Sequence, residues 1–364
     1  METHERGGRV NEPTIAVDEW SIANQLDQSG EERLYQALRM FWHPVAYASE
    51  VGDRPVPATL LDEQLVLVRL GGEVRCFRDL CVHRGTALSL GWIESDELRC
   101  AYHGWTYGPD GVCTKIPSRF GSNIPSRARL TRYLAEERDG LVWVSLTEDP
   151  LFPIPEFLEY AAPDYRSVSI PAYDWACAAP RRLENFVDFA HFAWVHDGLL
   201  GSRDHPEVPE HEIWRDGAEL RFFQKVAEPL EGATKEDLRT DADMVDVENT
   251  YRLTMPLSIY LNRRFPGDQH YILTMNASPV SATRTRSFSF IGRNFALDKD
   301  DQKFVDFEQV ILDQDRPVVQ SQRPEELPVD LSTELHIRGV DKVSLEYRRW
   351  LVELAGLAGR GRAS

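Results

Sequence analysis

The sequence predicts an α+β chain in two unequal parts: a small all-β domain over 42–148, then a larger region, 149–364, built on a mainly antiparallel sheet with helices. Three observations predict it. Short β-type runs separated by glycine turns fill the first part, Pro150, Pro153 and Pro155 mark a boundary, and longer strand patterns flanked by helical ones follow. At 364 residues the chain exceeds what one hydrophobic core usually serves, which also favours two domains.

Residues 1–41 read as a polar tail and then a helix, with Leu34, Leu38 and Met40 as a rough apolar stripe. Residues 65–70 and 73–77 around Gly71 and Gly72 read as a β-hairpin. A further turn is expected at 108–111, and the apolar run Leu141, Val142, Trp143, Val144 closes the domain. Beyond the prolines, the patterns predict a helix near 180–196, strands at 219–226, 249–260, 269–279 and 284–294, and a helix at 301–320. Residues 228–248 carry eight acidic and two basic side chains without a clear period, and a mobile loop or lid is expected there.

With 42% hydrophobic and 27% charged residues, the composition is that of an ordinary globular protein. The 41 basic and 59 acidic side chains leave a formal charge of -18, which repels phosphate backbones and anionic lipid. Neither nucleic acid nor a membrane is an expected partner. The charged N-terminus lacks the apolar core of a secretion signal, so a cytoplasmic location is expected. Five cysteines, an odd number in a long chain, argue against a disulfide framework and leave metal ligation open.

Two Cys/His pairs give that possibility a form. Cys81 and His83 are two apart, and after sixteen residues Cys100 and His103 are three apart, with Gly85 and Gly104 in the adjoining loops. Two thiolates and two imidazoles suit zinc, or an iron-sulfur cluster with two cysteines on one iron and two histidines on the other. Zinc pairs are usually like with like; here each pair is mixed, which favours the cluster. The C-x-H and C-x2-H arrangement resembles the Rieske motif. The resemblance implies Cys81 and Cys100 on the buried iron and His83 and His103 on the outer one of a 2Fe-2S cluster. Thr86 and Tyr102 stand where respiratory Rieske proteins carry two further cysteines, and Arg84 after His83 is what Rieske oxygenases show.

A second constellation lies over 181–198, where Glu184, Asn185, Asp188, His191, His196 and Asp197 stand among apolar and aromatic residues. His191 and His196 are five apart and diverge by about 140° on an ideal helix, so both can reach one metal only if the helix ends or bends between them. Gly198 is consistent with a chain reversal there. The spacing differs from the H-E-x-x-H of zinc hydrolases. It resembles the N-x-x-D-x-x-H-x4-H motif of the Rieske oxygenase catalytic domain, matched by Asn185, Asp188, His191 and His196.

That resemblance implies His191 and His196 as ligands of a mononuclear ferrous iron, with Asn185 nearby and a third, acidic ligand on a late helix. Residues 307–324 offer Glu308, Asp313 and Asp315; Asp315 is chosen, because the residues after it resemble the ligand-bearing stretch of demethylase-type members, although Gln314 stands where an acid is common. Family resemblance extends over 41–47 and 334–351. It implies a helix-grip (START-like) catalytic domain, a head-to-tail homotrimer, and Asp188 bridging His103 of one subunit to His191 of its neighbour.

The function so implied is that of a terminal oxygenase, which uses dioxygen to hydroxylate a small organic substrate or to demethylate it at N or O. Ring dihydroxylation is less favoured. No dinucleotide or flavin motif is visible, so NAD(P)H would act through a separate reductase, a ferredoxin, a flavin reductase or both. The rival readings are a Rieske electron carrier without oxygenase chemistry and a zinc-binding interaction module.

Overall fold

The computed structural model describes residues 29–118, 123–229, 237–238 and 244–356. The predicted polar tail lies outside them, apart from its last residues. Ser29 opens helix α1 (Gly30–Ala37) with a reciprocal capping box, the Ser29 hydroxyl accepting from the Glu32 amide and the Glu32 carboxylate accepting from the Ser29 amide. Leu34 and Leu38 then anchor the helix in the core.

Ten strands precede or form the boundary region: β1 (Trp42–Tyr47), β2 (Val56–Leu60), β3 (Glu63–Leu70), β4 (Glu73–Arg78), β5 (Trp92–Glu94), β6 (Glu97–Arg99), β7 (Thr106–Tyr107), β8 (Cys113–Lys115), β9 (Arg132–Arg138) and β10 (Leu141–Ser145). Among the described residues they make two antiparallel sheets, β1-β10-β9-β4-β3-β2 and the small β5-β6-β7-β8. The expected hairpin is β3–β4, paired up to Leu70 and Glu73 across the two glycines. The unbroken apolar run from Leu65 to Val68 reflects burial of β3 on both faces. Leu65 and Leu67 enter one core, and Val66 and Val68 enter another with Phe77, Leu88 and Tyr107.

The second part holds β11 (Arg166–Trp175), β12 (His211–Asp216), β13 (Glu219–Pro229), β14 (Met244–Thr254), β15 (Ser258–Phe265), β16 (Gln269–Ser281) and β17 (Arg284–Arg293). They form one antiparallel sheet in the order β11-β17-β16-β15-β14-β13-β12. Among the described residues the helices accompanying it include α2 (Ala179–Val187), α3 (Phe192–Val195), α4 (Asp301–Ser321) and α5 (Lys342–Leu354). Phe304, Val305, Leu312 and Val319 of α4 pack with Ile170, Val247 and Ile291 of the sheet. A sheet holding one long helix is the helix-grip arrangement, so the α+β expectation agrees with the structure.

Three local expectations are corrected. The stretch 249–260 is two strands, because Met255, Pro256 and Leu257 make a turn in which Pro256 has no amide to give to a ladder. The helix expected over 180–196 stops at Val187 and resumes for one turn at Phe192. The expected lid is partly sheet, with β13 reaching Pro229 and β14 starting at Met244; 230–236 and 239–243 lie outside the described residues.

The two parts have separate sheets and a continuous core. Leu60, Leu65 and Val142 join Leu183, Met275, Tyr347 and Trp350 in one apolar cluster. The Tyr47 hydroxyl also donates to the carbonyl of Ile170 at 2.5 Å. No helix among the described residues is long and apolar enough to cross a membrane.

Candidate active site

The first constellation stands on two loops built alike. In one, the Cys81 amide donates to Thr86 O (2.8 Å) and the Gly85 amide to Cys81 O (2.9 Å). In the other, the Cys100 amide donates to Trp105 O (2.9 Å) and the Gly104 amide to Cys100 O (3.0 Å). Gly85 and Gly104 sit at φ 71° and 70°, the left-handed region that lets each loop turn back beside its cysteine. Both cysteines are buried, His83 is half-buried and His103 exposed. The imidazoles meet with centroids 4.5 Å apart, and the Trp105 ring stacks on His83.

This donor set fits a two-metal cluster better than a single ion. Burial, and then the neighbouring Cys81, push the Cys100 thiol above its ordinary range, so two thiolates side by side need cationic charge between them. His83 is held below its ordinary value by desolvation and then by the charges of His103 and Arg84, which leaves the neutral, metal-binding form. Its Nδ1 is buried with no hydrogen-bond partner among the described residues. The four donors also do not form one tight group. Among the described residues, the donors gathered closely enough for one ion are those of His191, His196 and Asp315, all within 4.8 Å of one another.

That second group arises where a helix is interrupted. α2 ends as Asp188 turns to extended backbone (φ -87°, ψ 117°), and the chain re-enters one turn of helix with His191 at its N-cap and His196 at its C-cap. The break therefore falls before His191 rather than between the two histidines, which flank a single turn, His196 leaving it at φ -113°, ψ 34°. The two rings come to 5.2 Å between centroids, and Gly198 then reverses the chain, its amide donating to Gly201 O. Asp315 comes from the core face of α4, its Oδ1 lying 3.0 Å from His196 Nε2 and 3.5 Å from His191 Nε2.

Hydrogen bonding behind the rings shows what the cluster needs. His196 Nδ1–H donates to Gln314 Oε1 at 2.8 Å, which leaves a lone pair on Nε2. That nitrogen faces a carboxylate oxygen at 3.0 Å, an arrangement that either a proton or a metal cation between them makes favourable. His196 Nε2 and Asp315 Oδ1 are buried without hydrogen-bond partners among the described residues. Burial alone would lower the His196 pKa, but the neighbouring Asp315 carboxylate, aided by Gln314, carries it above the ordinary value. Burial likewise raises Asp315, and the two histidines with Arg182 bring it below the usual carboxylate range.

Two histidines and one carboxylate with open positions fit a non-heme ferrous ion. Asp313, the neighbouring candidate, is exposed and accepts from Gln309 Nε2, while Glu308 accepts from the Tyr271 hydroxyl. Asn185 accepts from Arg182 through Oδ1 at 2.8 Å, and Asp188, partly exposed, holds Oδ2 3.4 Å from His191 Nδ1.

The triad forms part of the wall of a partly open cavity. Phe186, Phe192, Leu261, Leu273 and Ile311 make much of its apolar surface, with Asn185 and Arg182 beside the triad. Sequence reasoning missed the polar residues Asn249, Arg263 and Tyr271, which reach the cavity from the sheet. Their only advance sign was a polar side chain inside an otherwise apolar strand.

Fold and site together define a Rieske non-heme iron oxygenase. Residues 41–126 match the Rieske [2Fe-2S] domain and residues 175–356 the vanillate O-demethylase oxygenase C-terminal domain, and the chain belongs to this family of oxygenases. It is 35% identical over 334 residues to methylxanthine N1-demethylase NdmA of Pseudomonas putida, covering 89% of this chain and 90% of that one. It is 36% identical over 353 residues to methylxanthine N3-demethylase NdmB of the same organism, covering 94% and 96%. The solved structure of Pseudomonas putida CBB5 NdmA with caffeine has a TM-score of 0.80 at 33% identity, covering 89% of this chain and 93% of that one. The protein is thus an oxygenase of the monooxygenase or demethylase type, with a Rieske cluster and a mononuclear iron as cofactors.

Proposed function

We propose that this chain is a terminal oxygenase that removes an N-methyl group from a small heterocyclic substrate, with electrons from NAD(P)H delivered by a separate ferredoxin or flavin reductase. The observation that carries the reading is that His191, His196 and Asp315 open directly onto a largely apolar cavity. A mere electron carrier has no use for such a space. The N-demethylase relatives supply the bond to be broken. A cytoplasmic location accords with five buried cysteines, none in a disulfide.

In this reading Cys81, His83, Cys100 and His103 hold the cluster, and His191, His196 and Asp315 hold the iron. When bound, the cluster supplies single electrons and the iron a place for dioxygen to be reduced. Oxidation of N–CH3 to N–CH2OH takes one dioxygen, two electrons and two protons, and releases one water; the carbinolamine then loses formaldehyde to leave N–H. The protein's part is placement. Phe186, Phe192 and Ile311 exclude bulk water from the methyl group, and Gln314 fixes the ring orientation of His196. Arg182 holds Asn185 at the rim.

Asp188 is the connecting residue between subunits, accepting from His103 of an adjoining copy and from His191 of its own chain. The homotrimer this requires is supported by two exposed apolar surfaces. Val82 and Tyr102 flank the cluster histidines, while Val318 and Leu335 line the recess that holds Asp188 and His191.

The test is turnover of caffeine and theobromine with a surrogate reductase under air. One formaldehyde per dioxygen consumed is expected. Dioxygen uptake with no demethylated product from either compound contradicts the reading.

A further inference from the structure

The cavity has a second polar end, away from the metal triad. Glu308 and Asp315 are seven residues apart on α4, which is two turns, on one face and about 10 Å along the axis. Both line the same cavity. Glu308 is 7% exposed and takes one hydrogen bond among the described residues, from the Tyr271 hydroxyl to Oε1 at 2.7 Å, so its second oxygen is left for something else.

The sheet prepares the same place. Gln224, Asn249, Arg263 and Tyr271 are successive cross-strand partners on β13, β14, β15 and β16, and so form one lateral polar row. The neighbouring row, Phe222, Tyr251, Leu261 and Leu273, is mostly apolar. Asn249 is 3% exposed and lines the cavity, and its carboxamide oxygen has no partner among the described residues. A buried amide oxygen without a partner among the described residues and a carboxylate with one hydrogen bond line one space, a state that a hydrogen-bond donor relieves.

The charges indicate what kind of donor. Burial is the main influence on Glu308 and raises its pKa, while the Tyr271 bond and the charges of Arg263 and His196 oppose this. With Arg263 already facing the carboxylate, a cationic ligand is not called for, and a neutral N–H is enough.

We propose that Glu308, with Asn249 beside it, is a donor-reading subsite that selects neutral N-methylated heterocycles keeping a free N–H at the end opposite the methyl to be oxidised. The inference rests on the N-demethylase reading and deepens it by naming the substrate class. A methyl in place of that N–H leaves the acceptors unpaired and adds bulk where they sit. The span of two helical turns suits a fused two-ring ligand, with its polar edge on Glu308 and a methyl toward the triad.

The probes are theobromine, which keeps one N–H, and caffeine, which has none. Equilibrium binding to the anaerobic, metal-loaded protein should favour theobromine by about tenfold or more. Glu308→Leu should abolish that preference, and the isosteric Glu308→Gln should narrow it, with iron content and cluster absorption unchanged in both. Equal or tighter binding of caffeine by the unaltered protein, or a preference that survives Glu308→Leu, overturns the subsite alone. Failure of both compounds to bind overturns the N-methyl heterocycle reading and takes this inference with it.

Discussion

His196 and Gln314 share a 2.8 Å hydrogen bond, ring Nδ1 to carboxamide oxygen, that settles which nitrogen of the imidazole faces Asp315. A neutral amide does the work that a carboxylate does behind many metal-bound histidines: it orients the ring, but without adding charge. Gln314→Leu should therefore free the ring and weaken metal binding by about 10- to 100-fold. Gln314→Glu should keep the orientation and bind at least as tightly. Titration of the apo site with Co²⁺ reads both.

Asp188 makes a different contribution. Its Oδ1 accepts from the Ala190 amide at 2.9 Å, which shapes the break after α2, and its Oδ2 faces His191. Asp188→Asn keeps an acceptor for the amide, so the break and both metal centres should survive. Loss of the anionic link should still reduce product formation by about 10- to 100-fold. Iron content alongside turnover tests this, and retention of most turnover would reduce Asp188 to a helix-terminating residue.

Acid stability should carry the signature of His43. Its ring is 1% exposed, Nε2–H donates to Leu38 O at 2.7 Å, and burial depresses its pKa from 6.5 to about 4. Because the unfolded chain binds the proton more readily, the stabilising contribution is complete above pH 6.5 and is lost as pH falls toward 4. The loss over that window amounts to about 3 kcal/mol. Denaturant midpoints between pH 7 and 4 should fall less steeply in His43→Gln than in the unaltered protein.

The parts legible in the sequence were those set by local chain geometry. The Cys81 and Cys100 loops could be read because each ligand pair belongs to one glycine turn. That the helix departs from a straight course near these histidines could be read, because five-residue spacing cannot serve one metal on a straight helix, but the break falls before His191, at Asp188, and the chain between the two histidines is a helical turn. Asp315 was chosen over Asp313 on resemblance; the orientation of α4, whose core face presents Glu308, Ile311 and Asp315 while Asp313 looks outward, adds a physical reason that the sequence did not show. Long-range register was out of reach. The polar row ending at Tyr271 exists only once four strands are aligned. The buried pairing of Arg348 on α5 with Glu184 and Glu334 likewise joins positions far apart in the chain. The Met255–Leu257 turn was hidden by strand-like residues on both sides of it, although Pro256 was in plain view.

The central claim is that one chain holds a two-iron cluster on Cys81, His83, Cys100 and His103 and a separate iron on His191, His196 and Asp315. The most direct measurement is iron and acid-labile sulfide per chain in the unaltered protein and in Asp315→Ala. Three irons and two sulfides are expected in the first, falling to two irons and two sulfides in the second, with cluster absorption preserved. Two irons in both proteins, or loss of cluster absorption together with the third iron, would contradict the account.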